Sequence, residues 1–299
     1  MFYLWRIFTG RVAKPAGPIV ALILSFFTAG AVADSSVWVA SSGDSRIYLG
    51  GTVHLLRPSD YPLPEEYEQA YRDSSRVFFE TDVASMNDMA VQARMLQKLT
   101  YGDARTLKTV LSEEAYRALS EHLMAVGMPI MMMEKFKPGL IVSTLQLLEF
   151  QRMGFTPQGV DVHFSNRALG DAKAVGELES IDAQIDYIAN MGEGNESEFI
   201  LLSLGDLQEI ATSMEDLILA WRNGDMDMLE SLFVEDMRVE SEELYNSLLL
   251  ERNNNWLPVI EQLFQEDGNE FVLVGAAHLV GKDGLLKLLE DRGYRVEKL

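Results

Sequence analysis

The sequence predicts an α/β fold: two strand–Gly-x-x-His–helix–strand half-repeats forming a central sheet, with a large helical insertion at about residues 85–265. Three observations predict it. First, one pattern occurs near each end of the chain, as Arg46-Ile47-Tyr48-Leu49-Gly50-Gly51-Thr52-Val53-His54-Leu55-Leu56 and as Glu270-Phe271-Val272-Leu273-Val274-Gly275-Ala276-Ala277-His278-Leu279-Val280. Each copy is an apolar run rich in β-branched and aromatic residues, which reads as a buried strand, followed by Gly-x-x-His. Second, both copies lead into a helix and another short strand, so two of the four histidines in the chain occupy one repeated position. Third, the long stretch between the copies shows helical periodicity with caps.

Taken in order, Val37-Trp38-Val39-Ala40 reads as a strand and Ser42-Gly43-Asp44 as the turn of a hairpin into Ile47-Tyr48-Leu49. An amphipathic helix over Pro64–Asp73 precedes a strand that ends Val77-Phe78-Phe79-Glu80-Thr81-Asp82. Helices are expected over Asn87–Leu99, from Ser112 to Gly127, and over Leu140–Met153 after an interruption at Lys137-Pro138-Gly139. Val160–Leu169 reads as a helix stopped by Gly170, Ala174–Glu177 as a short strand, and Ser180 as a helix N-cap. Further helices are expected over Glu196–Asn223, Asp225–Val234, Glu240–Asn253 and Trp256–Gln265. The second unit follows, with a helix over Gly284–Arg292 and a strand at Tyr294-Arg295-Val296-Glu297. The methionine-rich stretch Met128–Met133 reads as packing material, with an adaptable apolar groove as the other reading.

Composition narrows the function. Arg6, Arg11 and Lys14 precede an apolar run from Ile19 to Ala31, and Ala31-Val32-Ala33 is an A-x-A cleavage pattern. Residues 1–33 are therefore expected to be a signal peptide and residues 34–299 the mature domain, periplasmic or secreted, with no stable membrane insertion. The chain has no cysteine, so a thiol nucleophile and cysteine metal ligands are excluded, and any metal must be held by His and carboxylates. Its net charge of −21 argues against nucleic acid and anionic lipid as partners. His-Glu-x-x-His, Gly-x-Ser-x-Gly, the phosphate loop and the dinucleotide glycine fingerprint are all absent.

The residues that can do chemistry gather at predicted strand ends, where open α/β sheets place ligands. Glu80 ends the strand of the first unit and reads either as the carboxylate of a two-His, one-carboxylate metal set with His54 and His278 or as a general base. Asp161 and His163 open a helix, where Asp161 can cap and His163 can face a cleft. Glu177 follows the short strand. Arg252-Asn253 reads as a helix end whose guanidinium clamps a carboxylate, of substrate or of Glu80 or Glu177.

Gly51-Thr52-Val53-His54, Phe79-Glu80-Thr81-Asp82, Gly159-Val160-Asp161-Val162-His163-Phe164, Gly176-Glu177-Leu178-Glu179-Ser180, Glu251-Arg252-Asn253 and Gly275-Ala276-Ala277-His278-Leu279 together resemble the TraB/GumN/Tiki group, in the group's order and across the mature chain. The length and the expected export resemble those of the periplasmic GumN-like bacterial members. The resemblance implies a core of two related halves, similar to erythromycin-esterase-like and ChaN-like folds. It implies a divalent-metal-dependent peptidase of the cell envelope, because the animal Tiki members are metal-dependent proteases that trim the N-terminus of Wnt proteins. His54, His278 and Glu80 would hold the ion, of the Mn, Co or Zn class. Glu80, His163 and Arg252 would act in catalysis, Asp161, Glu177 and Asn253 would bind substrate, and a peptide or protein would be the substrate. Two other readings stay open: a metal-independent His/Glu hydrolase, and a peptide- or haem-binding protein without turnover.

Overall fold

The computed structural model describes residues 35–299, with only the backbone described at residues 208–212, 236 and 240. The signal-peptide reading lies outside the described residues. Six strands form one sheet: β1 (Val37–Ser42), β2 (Ser45–Thr52), β3 (Arg76–Phe79), β4 (Ala174–Glu177), β5 (Glu270–Gly275) and β6 (Arg295–Lys298), in the order β4-β3-β5-β2-β1-β6. β4, β3, β5 and β2 run parallel, with Val77 opposite Val175 and Phe271, and Gly51 opposite Val274. β1 is antiparallel to both β2 and β6.

β5 lies in the middle of the sheet, and its residues from Glu270 to Val274 are all buried. A strand covered on both faces must be apolar on both, which explains the continuous run Phe271-Val272-Leu273-Val274 rather than an alternation. Its one buried charge, Glu270, is held by the Arg76 guanidinium of the neighbouring strand at 2.6 Å. The main core packs on this sheet and includes Tyr67, Phe79, Phe164, Trp221 and Trp256. A second cluster, with Leu107, Leu119, Ile141 and Ile200, belongs to the helical region.

The two half-units share an order but not a placement. β2 and β3 flank β5, whereas β6 lies beyond β2 and β1 at the far edge. The region between the units is also not purely helical, because β4 rises out of it to extend the sheet beside β3.

Most helices fall where caps and periodicity put them: Glu65–Asp73, Met89–Lys98, Glu113–Ala125 capped by Ser112, Ile181–Asn190 capped by Ser180, Glu196–Asn223 and Leu285–Asp291. Three differ. Pro138 opens its helix, Pro138–Arg152, instead of interrupting it, because the first helical position needs no amide hydrogen. Val160–Asp171 runs through Gly170 and ends where Ala172 turns left-handed at φ 52°. The helices expected over Glu240–Asn253 and Trp256–Gln265 are replaced by a short turn, Glu242–Tyr245, a π-helical stretch, Asn246–Leu250, and one α-helix, Glu251–Leu263, with Pro258 inside it. Burial of Trp256, Leu257 and Ile260 outweighs the local cost of the proline. Arg252 and Asn253 therefore lie in the first turn of a helix, not at a helix end.

In the methionine-rich stretch Ile130 is buried, and Met128 and Met133 pack on the helical cluster. Met131 and Met132 face solvent.

Candidate active site

The parallel strands β4, β3, β5 and β2 deliver their C-terminal ends to one edge of the sheet. His54 follows β2, Glu80 follows β3, His278 follows β5 and Glu179 follows β4. Backbone pairing continues past the ends of β3 and β4, since the Leu178 and Glu179 amides donate to the Phe79 and Glu80 carbonyls at 3.0 and 2.9 Å. The helix Glu251–Leu263 brings Arg252 and Asn253 to the same edge.

Arg252 is the hub. One guanidinium nitrogen, Nη2, donates to Glu80 Oε2 at 2.5 Å and to Glu179 Oε1 at 2.7 Å. Nε donates to Glu179 Oε2 at 3.2 Å, making that pair bidentate, and Nη1 donates to His278 Nε2 at 3.1 Å. The guanidinium also stacks over Trp256, 4.6 Å from the ring centroid, and the Trp256 indole donates to Glu179 Oε2 at 3.1 Å. The side chains of Arg252, Glu80, Glu179 and His278 are each less than a tenth exposed.

The tautomer of His278 follows from its partners. The Asn253 amide nitrogen donates to the carbonyls of Asp283 and His278 at 2.8 and 3.3 Å, so its Oδ1 must face the ring. Nδ1–H donates to that oxygen at 2.7 Å, which leaves the lone pair on Nε2, where Arg252 donates into it. Burial, with Arg252 adjacent, pushes the imidazole down to about 3 and keeps it neutral. Burial alone would raise the Glu80 carboxyl. Arg252 and the Gly275 amide, which donates to Glu80 Oε1 at 2.7 Å, outweigh it and hold the group at about 2. Glu179 moves the other way, raised by burial despite Arg252. One guanidinium thus divides two carboxyls into a firmly ionised member and a less acidic one.

His54 differs from this buried set. Its side chain is 66% exposed, and Nδ1–H donates to Asp161 Oδ2 at 2.8 Å. Asp161 is buried and its charge raises the imidazole toward about 9, with Glu80 assisting. Water around the ring screens part of that attraction. Gly159 sets the distance between the two segments. A Cβ there would lie 2.3 Å from the Val53 carbonyl oxygen and from the His54 carbonyl carbon, so a side chain would drive the loop away.

The structure thus brings together His54, Glu80, Asp161, Arg252, Asn253 and His278. Asp161 and Asn253, expected at substrate, each hydrogen-bond and orient one of the two histidines. His163 stands apart, with Tyr61 at 5.4 Å, Phe164 at 5.0 Å and Glu68 at 4.0 Å as its neighbours. Glu177 is exposed at the end of β4, and Glu179, two residues on, makes the contact with Arg252. Glu179 was missed from the sequence. The available signal was Ser180, which caps the next helix and fixes the path of the residue before it.

The groups expected to hold a metal are of the right chemistry, but their lone pairs do not converge on a free position. His278 Nε2 and Glu80 Oε2 both accept from Arg252, and Glu80 Oε1 accepts from the Gly275 amide. Among the described residues no three His, Cys, Asp or Glu side chains are arranged to hold an ion. As arranged, the residues do not fit a metal.

A six-stranded α/β sheet with paired histidines and a buried Glu–Arg–Glu cluster along its parallel C-terminal edge defines the class. The chain belongs to the TraB/PrgY/gumN family, which it matches over residues 36–298. It is 25% identical to metalloprotease TIKI2 of Danio rerio, over 84% of this chain and 58% of the relative. It is 24% identical to metalloprotease TIKI1 of Homo sapiens, over 88% of this chain and 62% of the relative. The chain thus spans somewhat over half the length of these relatives. No solved structure matches it significantly.

Proposed function

We propose that the protein is a hydrolase of peptide or protein substrates, with His54 as the residue that moves the proton. The observation that carries this reading is the exposed imidazole of His54, oriented by the buried Asp161 at the edge where His278, Glu80 and Arg252 also meet. The relatives named metalloproteases support the reaction class.

Nδ1–H of His54 is committed to Asp161, so Nε2 is the free base. In the first step Nε2 takes a proton from water while the water oxygen bonds to the substrate carbonyl carbon and the carbonyl π pair moves onto its oxygen. In the second step the carbonyl re-forms, the carbon–nitrogen bond breaks with its pair going to nitrogen, and the imidazolium gives that nitrogen its proton. Asp161 stabilises the imidazolium between the steps, and ionised Glu80 adds a smaller attraction of the same sign. Arg252 and the Gly275 amide hold Glu80 ionised and fixed. No step is routed through a metal ion, because the lone pairs of Glu80 and His278 that would hold one are engaged by Arg252 and the Gly275 amide.

The test is a peptide library incubated with the purified protein, in chelator and separately with Mn, Co or Zn, and read by mass spectrometry. Cleavage in chelator that is lost by roughly 10²–10⁴-fold in His54→Ala supports the reading. Cleavage that requires added metal would transfer the base's role to an ion-bound water. Binding without cleavage under every condition would make the protein a peptide receptor.

Among the described residues no helix is long and apolar enough to cross a membrane. We place the site outside the cytoplasm, on the leader reading of residues 1–33. Intact mass of protein from an envelope fraction tests it, with a chain beginning at Asp34 expected and a retained leader opposing it.

A further inference from the structure

Three acceptors converge on one cation in this protein, and that cation is a side chain. Glu80 Oε2 and Glu179 Oε1 both accept from the Nη2 of Arg252, at 2.5 and 2.7 Å, and the His278 Nε2 lone pair accepts from Nη1 at 3.1 Å. Two carboxylates and a neutral imidazole are a donor set that divalent transition ions accept. We propose that the Arg252 guanidinium occupies the cation position of this centre, locked there by Glu179, so that Arg252 and a divalent ion are mutually exclusive occupants.

The socket is built for a guanidinium. Glu179 meets Nε and Nη2 in the two-pronged geometry that an ammonium cannot reproduce. The Trp256 ring, and the Tyr187 ring at 5.4 Å, lie against the cation, and the Trp256 indole ties Glu179 in turn. Asn253, the next residue, fixes the His278 tautomer whose lone pair Arg252 uses. Backbone position, anchor, stacking and tautomer all agree on one occupant. A divalent ion would have to expel a paired, buried guanidinium, and Arg252 would then leave Glu179 or carry it along. The sequence is compatible with either cation, because the residues that greet Arg252 are the ones an ion would use.

The inference concerns occupancy and is read without turnover, so its failure is separate from failure of the hydrolase reading. Calorimetric titrations with MnCl₂, CoCl₂ and ZnCl₂ would compare the wild type, Arg252→Met, and Arg252→Met combined with His278→Ala. Arg252→Met is expected to take up one ion at least about tenfold more tightly than the wild type, and the double variant to lose that gain. Arg252→Met leaves two carboxylates facing each other, so the variant is also followed by circular dichroism with and without metal. If it is unfolded alone, added metal is expected to fold it, because a ligand that binds the native state stabilises it by mass action. Two results overturn the proposal. One is a wild-type site as tight as that of Arg252→Met. The other is an Arg252→Met protein that gains no metal binding when folded, or is not rescued by metal when unfolded.

Discussion

Asn253 grips His278 at both ends. Its Oδ1 accepts from the ring Nδ1–H at 2.7 Å, and its Nδ2 donates to the backbone carbonyl of the same histidine at 3.3 Å. One amide therefore sets the tautomer, the ring orientation and the path of the loop after β5. Asn253→Ala strips the ring nitrogen of its acceptor in a buried place, and is expected to cost about 1–3 kcal/mol by denaturant titration. Nitrogen chemical shifts of His278 are expected to show the loss of a single tautomer. Asn253→Asp keeps the acceptor and is expected to preserve that tautomer.

Acid should unfold the protein in two stages. His278 is held at about 3 against an ordinary value of 6.5, so below 6.5 the unfolded chain binds a proton that the folded one refuses. Stability is lost as pH falls from there toward 3. Glu80 is held at about 2 against an ordinary 4.5, and its contribution, complete above 4.5, is lost as pH falls toward 2. Melting temperature against pH is expected to decline gently below about pH 6 and more steeply below about pH 4.5. In His278→Gln the first decline is expected to disappear while the second remains.

His54 carries the opposite sign. Its pKa is raised toward about 9 by Asp161, and as a base it works only when neutral, so kcat/KM is expected to rise with pH through that region. Asp161→Asn removes the charge and keeps an acceptor. The rising limb should then move down toward the ordinary value of 6.5, with maximal kcat/KM reduced roughly 10²-fold. A pH–rate profile that is displaced upward, or unmoved, would contradict the role given to Asp161.

Gly159→Ala tests whether spacing holds that pair together. The added methyl meets the Val53 and His54 backbone at 2.3 Å, and neither can yield without moving the histidine. Destabilisation of about 1–3 kcal/mol is expected, with loss of turnover and retention of the far-ultraviolet spectrum. Gly43→Ala is the control for an added methyl: its Cβ meets nothing, and its φ of +61° confines its penalty to the hairpin turn.

Much of the strand framework was legible because buried strands must be written in apolar residues. Glu270–Gly275 and Arg46–Thr52 announce themselves, and Gly-x-x-His marks where each releases the chain. Glu80 was legible for the same reason, since it ends the strand that follows. The neighbours of Arg252 were not. Asn253-Asn254-Asn255 and Pro258 read locally as the end of a helix, and only burial of Trp256 and Leu257 in the core keeps the turn helical there. The choice between Glu177 and Glu179 depends on where pairing carries the chain beyond β4, which is a property of Phe79 and Glu80 as much as of the segment itself. The roles of Asp161 and Asn253 depend on contacts 107 and 25 residues away in sequence, beyond what local spacing can express.

The position of β5 also governs when the protein can come into being. The strand that stands between β2 and β3 is made after both of them, when more than two hundred residues have already emerged. Until Glu270–Gly275 is synthesised, β2 and β3 have no common neighbour, and each presents an unpaired edge. Pairings over such separations close slowly, because the loop entropy must be met before the contact returns anything. A nascent chain stopped short of Glu270 is therefore a sheet with its middle missing, and neither histidine can reach the other's side until Glu270–Gly275 has emerged.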